Sequence, residues 1–547
     1  MSKKLLSIAL VLIMLISVCS FTVSAAGVTA TPTTSTVFVN GRNVAFDAYN
    51  IGGNNYFKLR DIAFTLSGTE KQFEVTWDGA KNAISLTTDK KYTAIDGDMT
   101  KGSPGAKTAT PTTSKIYLND NEVAFTAYNI GGNNYFKLRD LGEAFAFGVD
   151  WDGAKQAISI DTSKGYTPES GNYTVVTALK YSGVADFSEG LARVSRNNRR
   201  GFIDKTGKEV IPVIYNGSGD CHDGVIPVMT GEKWGVIDKT GKEIVPPKYE
   251  AMSDFFEGIA AFKLDEKWGY VDKTGREIVA PKYDGYGNFS EGITGVKLGE
   301  KWGFVDKTGR EIVAPKYDGY GRFSEGMAGV KLNDKWGYID TTGSEVVDRK
   351  YDGAGNYYEG VVAVKVGEKW GYIDKTGREI AAPKYDGFGN FNEGMAAVKV
   401  GEKWGFIDKT GREIVAPKYD GVNSFSEGMA VVRNGEKRGF IDYSGAEVIP
   451  IIYDAVGSFH DGLAGAMVNS KAGFLNKTGL EVIPLKYAGV GAFSEGFAFY
   501  RVGNLRGVLD TTGKELVPAR YDAVNDCKEG MVAVQLGEKW GFIAIKP

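Results

Sequence analysis

One spacing constrains this chain more than any other feature. An acidic residue followed by glycine recurs at Gly190, Gly224, Gly258, Gly292, Gly326, Gly360, Gly394, Gly428, Gly462, Gly496 and Gly530, eleven times at intervals of 34 residues. Surface loops ordinarily absorb insertions freely, so an unvarying length means that each unit is clamped between its neighbours, as in repeat architectures. A central copy divides into three strands: Ile293–Leu298, a turn at Gly299-Glu300, Trp302–Asp306, a turn at Lys307-Thr308-Gly309, and Glu311–Ala314 ended by Pro315. Helix is not expected, because glycine recurs every few residues, with Val, Ile, Phe, Tyr and Thr in the intervals. The glycine-rich stretch Asp284–Gly292 carries the chain onward.

The array is out of phase with its own meander. Val175–Tyr181 aligns with the third strand of a unit, and the final unit stops after its second strand at Phe542–Ile545. In a ring, the first strand would complete the last sheet; in an open superhelix the shift merely marks where the frame begins. Eleven blades of three short strands would make an unusually large ring. The expected fold is therefore an all-β repeat array of eleven 34-residue, three-stranded β-meander units in an open curved or spiral stack, with a closed β-propeller as the alternative.

Two aromatic positions behave differently along the array. Tyr181 and its copies at 34-residue spacing, from Tyr215 to Tyr521, have no exception, which points to a packed ring with its hydroxyl hydrogen-bonded between units. Trp-Gly pairs begin at Trp234, Trp268, Trp302, Trp336, Trp370, Trp404 and Trp540, whereas Arg200, Arg438, Ala472 and Arg506 stand at the same position with only the glycine kept. Burying an unpaired guanidinium is costly, so natural arginines here imply an indole partly reachable from solvent. The seven tryptophans are thus the candidate binding residues, as a row of equivalent contact points; the structural alternative is that each seals one unit to the next. The ordered recurrence of FSEG, KWGFID, DKTG and Pro-x-Tyr-Asp resembles the WG-repeat family of bacterial β-repeats, from about Val175 to the end.

The front of the chain holds a second duplication. TATPTTS occurs at Thr29–Ser35 and Thr108–Ser114, and YNIGGNNYFKLRD at Tyr49–Asp61 and Tyr128–Asp140, both offset by 79, while WDGAK recurs from Trp77 to Trp151, offset by 74. Each copy reads as two strands, a helix and a closing hairpin, a small α+β module. Leu59, Ile62, Ala63 and Leu66, and in the second copy Leu138, Leu141 and Phe145, form a helical stripe that belongs to a core. Tyr56–Asp61 with Val75–Asp78, and Tyr135–Asp140 with Val149–Asp152, resemble the copper amine oxidase-like N-terminal, or stalk, domain. That resemblance implies a spacer or wall-binding adaptor. Oxidase chemistry is excluded, because three histidine ligands are required and the chain holds only His222 and His460.

Lys3-Lys4, an apolar run from Leu5 to Val18 and the small residues before Ala26 have the order of a secretory signal cleaved after Ala25 or Ala26. The run is shorter than the roughly 20 residues that span a bilayer, and Val18 before Cys19 fits a lipobox poorly. The expected organisation is a signal peptide at 1–26, modules at 27–93 and 115–165, linkers at 94–114 and 166–174, and the array at 175–547. No carboxy-terminal sorting motif follows, and no further apolar segment is long enough to span a membrane. Without the signal, 63 basic residues face 68 acidic ones, interspersed rather than in a basic stripe, which excludes a nucleic-acid partner. Cys221 and Cys527 share a repeat position where other copies mostly carry Phe or Tyr, so unpaired, packed thiols are expected.

Catalysis finds no support in these patterns. The array's acids recur with the frame, as in Asp306 with Glu311 and Asp374 with Glu379, whereas an active site needs a unique constellation. His222 and His460 lie seven units apart, and no Gly-x-Ser-x-Gly elbow, calcium loop or phosphate-binding glycine loop occurs. The expectation is an exported, non-catalytic binding or scaffold protein of the bacterial cell surface, without cofactor or metal, contacting a cell-wall glycan or surface protein. A secreted carbohydrate-active enzyme and a purely structural spacer are the alternatives.

Overall fold

The computed structural model describes residues 27–123, 125–168 and 171–546. Residues 1–26, expected from sequence to be a signal peptide, and with them Cys19, lie outside the described residues. Among the described residues no helix is long and apolar enough to cross a membrane.

The array consists of eleven antiparallel sheets in tandem, each with four strands rather than the three expected. In the unit that carries Trp302 the strands are Gly285–Tyr286, Ile293–Leu298, Lys301–Asp306 and Glu311–Tyr317. The extra strand is two residues of the stretch taken from sequence as a connector; Gly285 and Tyr286 pair with Lys297 and Val296. The fourth strand also runs through Pro315 to Tyr317. It can do so because it is an edge strand whose register shifts twice against the third, between Trp302 and Phe304 and between Phe304 and Val305, so the missing N–H of proline falls where the ladder is already broken.

That bulge explains the glycine of the Trp-Gly pair. A Cβ on Gly303 would lie 2.5 Å from the Val313 carbonyl oxygen and 2.6 Å from the Pro315 nitrogen, and one on Gly371 would lie 2.6 Å from the Ala381 oxygen. The bulged strand presses its backbone onto the third strand at this point, and only glycine leaves room. The glycine therefore persists at Arg200, Arg438, Ala472 and Arg506, where tryptophan does not.

The ends of the array meet. Tyr173, Thr174 and Val175 pair antiparallel with Ile545, Ala544 and Ile543, so a segment ahead of the first sheet supplies the fourth strand of the last. Tyr181 continues the pairing opposite Trp540, and Val176, Tyr181, Phe187 and Ala192 share a core with Met531, Ala533 and Phe542. The first and last units of the tandem array are thus tied together by a shared strand and a shared apolar cluster.

The front modules are interleaved rather than separate. Val28–Pro32, Ala48–Ile51 and Asn54–Lys58 of the first copy close a six-stranded barrel with Lys107–Pro111, Ala127–Ile130 and Asn133–Lys137 of the second. Thr36–Val39 of the first copy pairs in parallel with Ala157–Asp161 of the second, and Ala83–Thr88 with Lys115–Leu118 reciprocally. The helices α1 (Leu59–Leu66) and α2 (Leu138–Phe145) bury the expected stripes in one shared core. Backbone ladders do not depend on which side chains they carry, and the duplicated strands keep nearly the same length and alternation, so exchange between copies satisfies the same hydrogen bonds as pairing within one. In consequence Lys107–Pro111, expected in the linker, is a barrel strand.

This front unit sits across the junction. Asp89 pairs with Lys180 at 3.1 Å and Arg196 at 2.7 Å, while Glu143 pairs with Arg520. Ala146 and Tyr166 join Val517, Tyr521 and Val534 in one apolar cluster.

Candidate functional site

The marker residues of the repeat build the contact between units. In each acidic-Gly pair both residues have positive φ, 54° at Glu291 and 81° at Gly292, and the flanking Ser290 and Ile293 exchange both backbone hydrogen bonds. This is a tight hairpin turn of the type that requires two left-handed residues. A left-handed glutamate is strained, and its carboxylate compensates by reaching the next turn. The N–H groups of Glu291 and Gly292 donate to Glu257 at 2.7 and 2.9 Å, and those of Glu325 and Gly326 donate to Glu291 at 2.6 and 2.7 Å. Asp223 and Asp461 do the same for Gly258 and Gly496. At the junction the Gly190 N–H donates to Glu529 at 3.0 Å, so the ladder passes from the last unit to the first.

Lysines of the DKTG turns add a second donor, with Lys307 on Glu257 at 2.9 Å, Lys375 on Glu325 at 3.3 Å and Lys205 on Glu529 at 2.9 Å. Where Tyr443 replaces that lysine, its hydroxyl donates to Glu393 at 2.8 Å. Burial pushes the pKa of Glu257, Glu325 and Glu359 upward, but the N–H and lysine donors outweigh it and hold all three below the ordinary range. At Glu495 the Gly530 N–H is the largest influence, in the same direction. The DKTG aspartate caps its own turn: Asp306 accepts from the Thr308 N–H and hydroxyl and from the Arg310 N–H.

The repeated tyrosine binds units together. Tyr249, Tyr283 and Tyr487 are buried, and their hydroxyls donate to Glu277, Glu311 and Glu515 of the following unit at 3.1, 2.9 and 2.9 Å. Tyr317 is the instructive departure: its hydroxyl is buried without a partner. The following unit has Arg349 in place of the usual proline, and Arg349 captures Glu345, the carboxylate that would have accepted.

All seven array tryptophans are half-buried. Trp268 packs on Tyr286 of the next sheet at a centroid distance of 4.0 Å, Trp302 on Tyr320 at 4.5 Å and Trp370 on Phe388 at 4.1 Å. Trp234, Trp336 and Trp540 pack against the same apolar clusters as Met252, Ala354 and Val184, the residues equivalent to Tyr286. Trp404 pairs with Tyr419 across its own sheet. One face of the row thus closes the groove between units and the other side reaches solvent. The substituting arginines are satisfied within the fold: Arg200 donates to the Ser218 carbonyl at 2.9 Å, Arg438 to the Asp454 carbonyl, and the Arg506 guanidinium lies over the Phe499 ring at 4.9 Å. The indole is a seal that a guanidinium can replace.

Other singled-out residues are not gathered into a site. Cys221 and Cys527 are buried and unpaired, each with its thiol against the ladder carboxylate of the preceding unit. Burial, with those carboxylates adding to it, pushes both thiols up to about 12. His222 and His460 bridge their own turns to Val225 and Leu463. Among the described residues no group of three or more His, Cys, Asp or Glu is placed to hold a metal ion. The most exposed indoles lie outside the array, Trp77 at 50% and Trp151 at 48%. The duplicated WDGAK turn was the available signal for them.

No curated protein matches the chain. Similar solved structures include a eukaryotic initiation factor (13% identity over 57% of this chain and 89% of that one, TM-score 0.34), Kluyveromyces lactis Hsv2p (12%, 40% and 88%, TM-score 0.25) and PorZ, described as a surface component of the type-IX secretion system of Porphyromonas gingivalis (12%, 95% and 87%, TM-score 0.19). The WG containing repeat family matches in eleven segments, from 174–199 to 507–540, all but the shorter first one with nearly the period of the acidic-Gly marker. On that match, which covers more than half of its length, the chain belongs to the WG containing repeat family.

Proposed function

We propose that this chain is an exported, non-catalytic binding scaffold of the bacterial surface, in which a self-joined array offers the solvent edges of its tryptophan row to a cell-wall glycan or surface protein. The supporting observation is how the recurring acids are used. The ladder glutamates are held by N–H and lysine donors of the next unit, and the DKTG aspartates cap their own turns. Carboxylates committed in this way are poor general acids or bases, and the remaining repeated chemistry is aromatic edge flanked by charge. Trp302, for example, lies between Lys301, paired with Asp318, and a strand that carries Lys297, paired with Glu300.

The test exploits the natural arginines. Trp302→Arg with Trp370→Arg removes two contact points with a side chain that the fold already accepts at three equivalent positions. The purified full chain is expected to be retained on insoluble cell-wall glycan and the double variant to be released at lower salt, with its melting curve little changed. Equal retention of the two proteins removes the array from the contact surface and leaves the purely structural spacer.

A further inference from the structure

We propose that the interleaved front unit carries two equivalent clefts for an uncharged saccharide, distinct from the tryptophan row. One cleft, of about 680 Å³, is walled by Thr33, Asn50 and Asn55 of the first copy and by Arg139 and Trp151 of the second. The other, of about 620 Å³, is walled by Arg60 and Trp77 of the first copy and by Thr112, Asn129 and Asn134 of the second. Both volumes lie in the range of small-molecule sites.

The same seventeen positions line the two clefts, related by the offsets of the duplication, and fifteen carry the same residue. The two exceptions are Asp150 against Thr76 and Gln156 against Asn82. Two stretches outside the clefts have drifted: Thr36–Val39 and Lys115–Leu118 differ at all four positions, and α1 and α2 diverge after their shared Leu-Arg-Asp start. Each cleft needs both copies, since the tryptophan of one faces the asparagine hairpin of the other. A lone module would present half a site, so strand exchange is what completes the binding surface.

The lining chemistry selects the ligand class. Each cleft exposes an indole, and beneath it the turn is braced identically: Asp78 accepts from the N–H groups of Ala80 and Lys81, and Asp152 from those of Ala154 and Lys155. Opposite stand amides and hydroxyls. Thr33 donates to Oδ1 of Asn55 at 3.0 Å and Thr112 to Oδ1 of Asn134 at 3.2 Å. Each bond orients an amide whose nitrogen has no partner in the fold among the described residues. The cations beside one cleft are already engaged, with Lys58 on Asp61 and the Gly97 carbonyl and Arg60 on the Tyr92 hydroxyl. What is left in that cleft is a flat apolar ring facing neutral donors and acceptors, and the other cleft sets the same ring and amides beside Lys137, Arg139 and Asp150. A pyranose matches that pattern, with an apolar C–H face for the indole and equatorial hydroxyls for the amides.

The experiment is a calorimetric and tryptophan-fluorescence titration of the full chain with neutral tetramers of N-acetylglucosamine, glucose and xylose. At least one tetramer is expected to bind at two sites per chain. Trp77→Ala and Trp151→Ala are each expected to remove one site, and the double variant to weaken binding by about tenfold or more with its melting temperature unchanged. Trp302→Arg should leave both sites intact, which separates this result from the fate of the array proposal. The inference is overturned if no tetramer binds, if the double variant binds as well as the parent, or if the two indoles are quenched by a proline-rich peptide or an oligonucleotide and not by any saccharide.

Discussion

At the scale of the residue, the Trp-Gly pair divides into a replaceable member and an irreplaceable one. The indole fills a groove that Met252, Tyr286 or Phe388 lines differently from unit to unit. Its replacement by Arg438 keeps the groove shut through a hydrogen bond to Asp454. The glycine has no such latitude, because the atoms nearest its missing Cβ are backbone and cannot rotate away. Gly371→Ala is therefore expected to cost about 1–3 kcal/mol, the range of forced overpacking, and Trp370→Arg distinctly less. Urea unfolding of both variants checks the order; a glycine variant as stable as the parent would show that the bulge yields. Sequence alone exposed half of this. Natural arginines revealed a tolerant tryptophan, but the reason for the glycine lay in a bulge whose register no spacing announces.

At the scale of the element, the acidic-Gly turn works as a hook. Two left-handed residues make it tight, and its carboxylate ties down the same turn of the next unit, so any insertion would move the hook out of reach. That is the physical content of the fixed 34-residue period. Pairing with Lys and N–H donors sets the folded pKa of Glu257, Glu325 and Glu359 below the ordinary carboxyl value of 4.5, despite burial. Since the unfolded chain binds these protons more readily than the folded one, the hooks stabilise fully above that value. Their contribution is lost as pH falls through the depressed folded values. The melting temperature is expected to be flat from neutrality to about pH 5.5 and to drop steeply below about pH 4.5. Glu325→Gln should lower it at pH 7 while flattening the acid limb, and a parent melting profile indifferent to acid would contradict the hook. Strand limits were legible where alternation and turns agreed: Ile293–Leu298 is found as expected. The two-residue strand Gly285–Tyr286 was not, because its residues have the composition of a loop. The exchange between front modules was equally hidden, since equivalent strands of nearly the same length and alternation read the same whichever copy they pair with.

At the scale of the whole molecule, the out-of-phase frame becomes a closing device. The strand at Tyr173–Val175 precedes the first complete sheet yet belongs to the last, and the front unit grips both sides of the joint through Asp89 and Glu143. An array without such a joint would fray from its end units, whose interfaces are satisfied on one side only. Here the end units are held as the middle ones are, and the front unit's clefts are fixed relative to the array. Ile543 is fully buried at the joint, opposite Val175. Ile543→Asp places an unpaired carboxylate in that apolar cluster, a change expected to cost several kcal/mol locally. Hydrogen exchange should then accelerate at Leu191–Arg196 and Met531–Leu536, on the two sides of the joint, while Val361–Val366 in the middle keeps its protection. The radius of gyration in solution should rise as the ends part. If exchange instead rises equally in every unit, the array unfolds as one cooperative body and the joint is no weaker than any other interface. If neither measurement changes, the ends are not held by this strand at all.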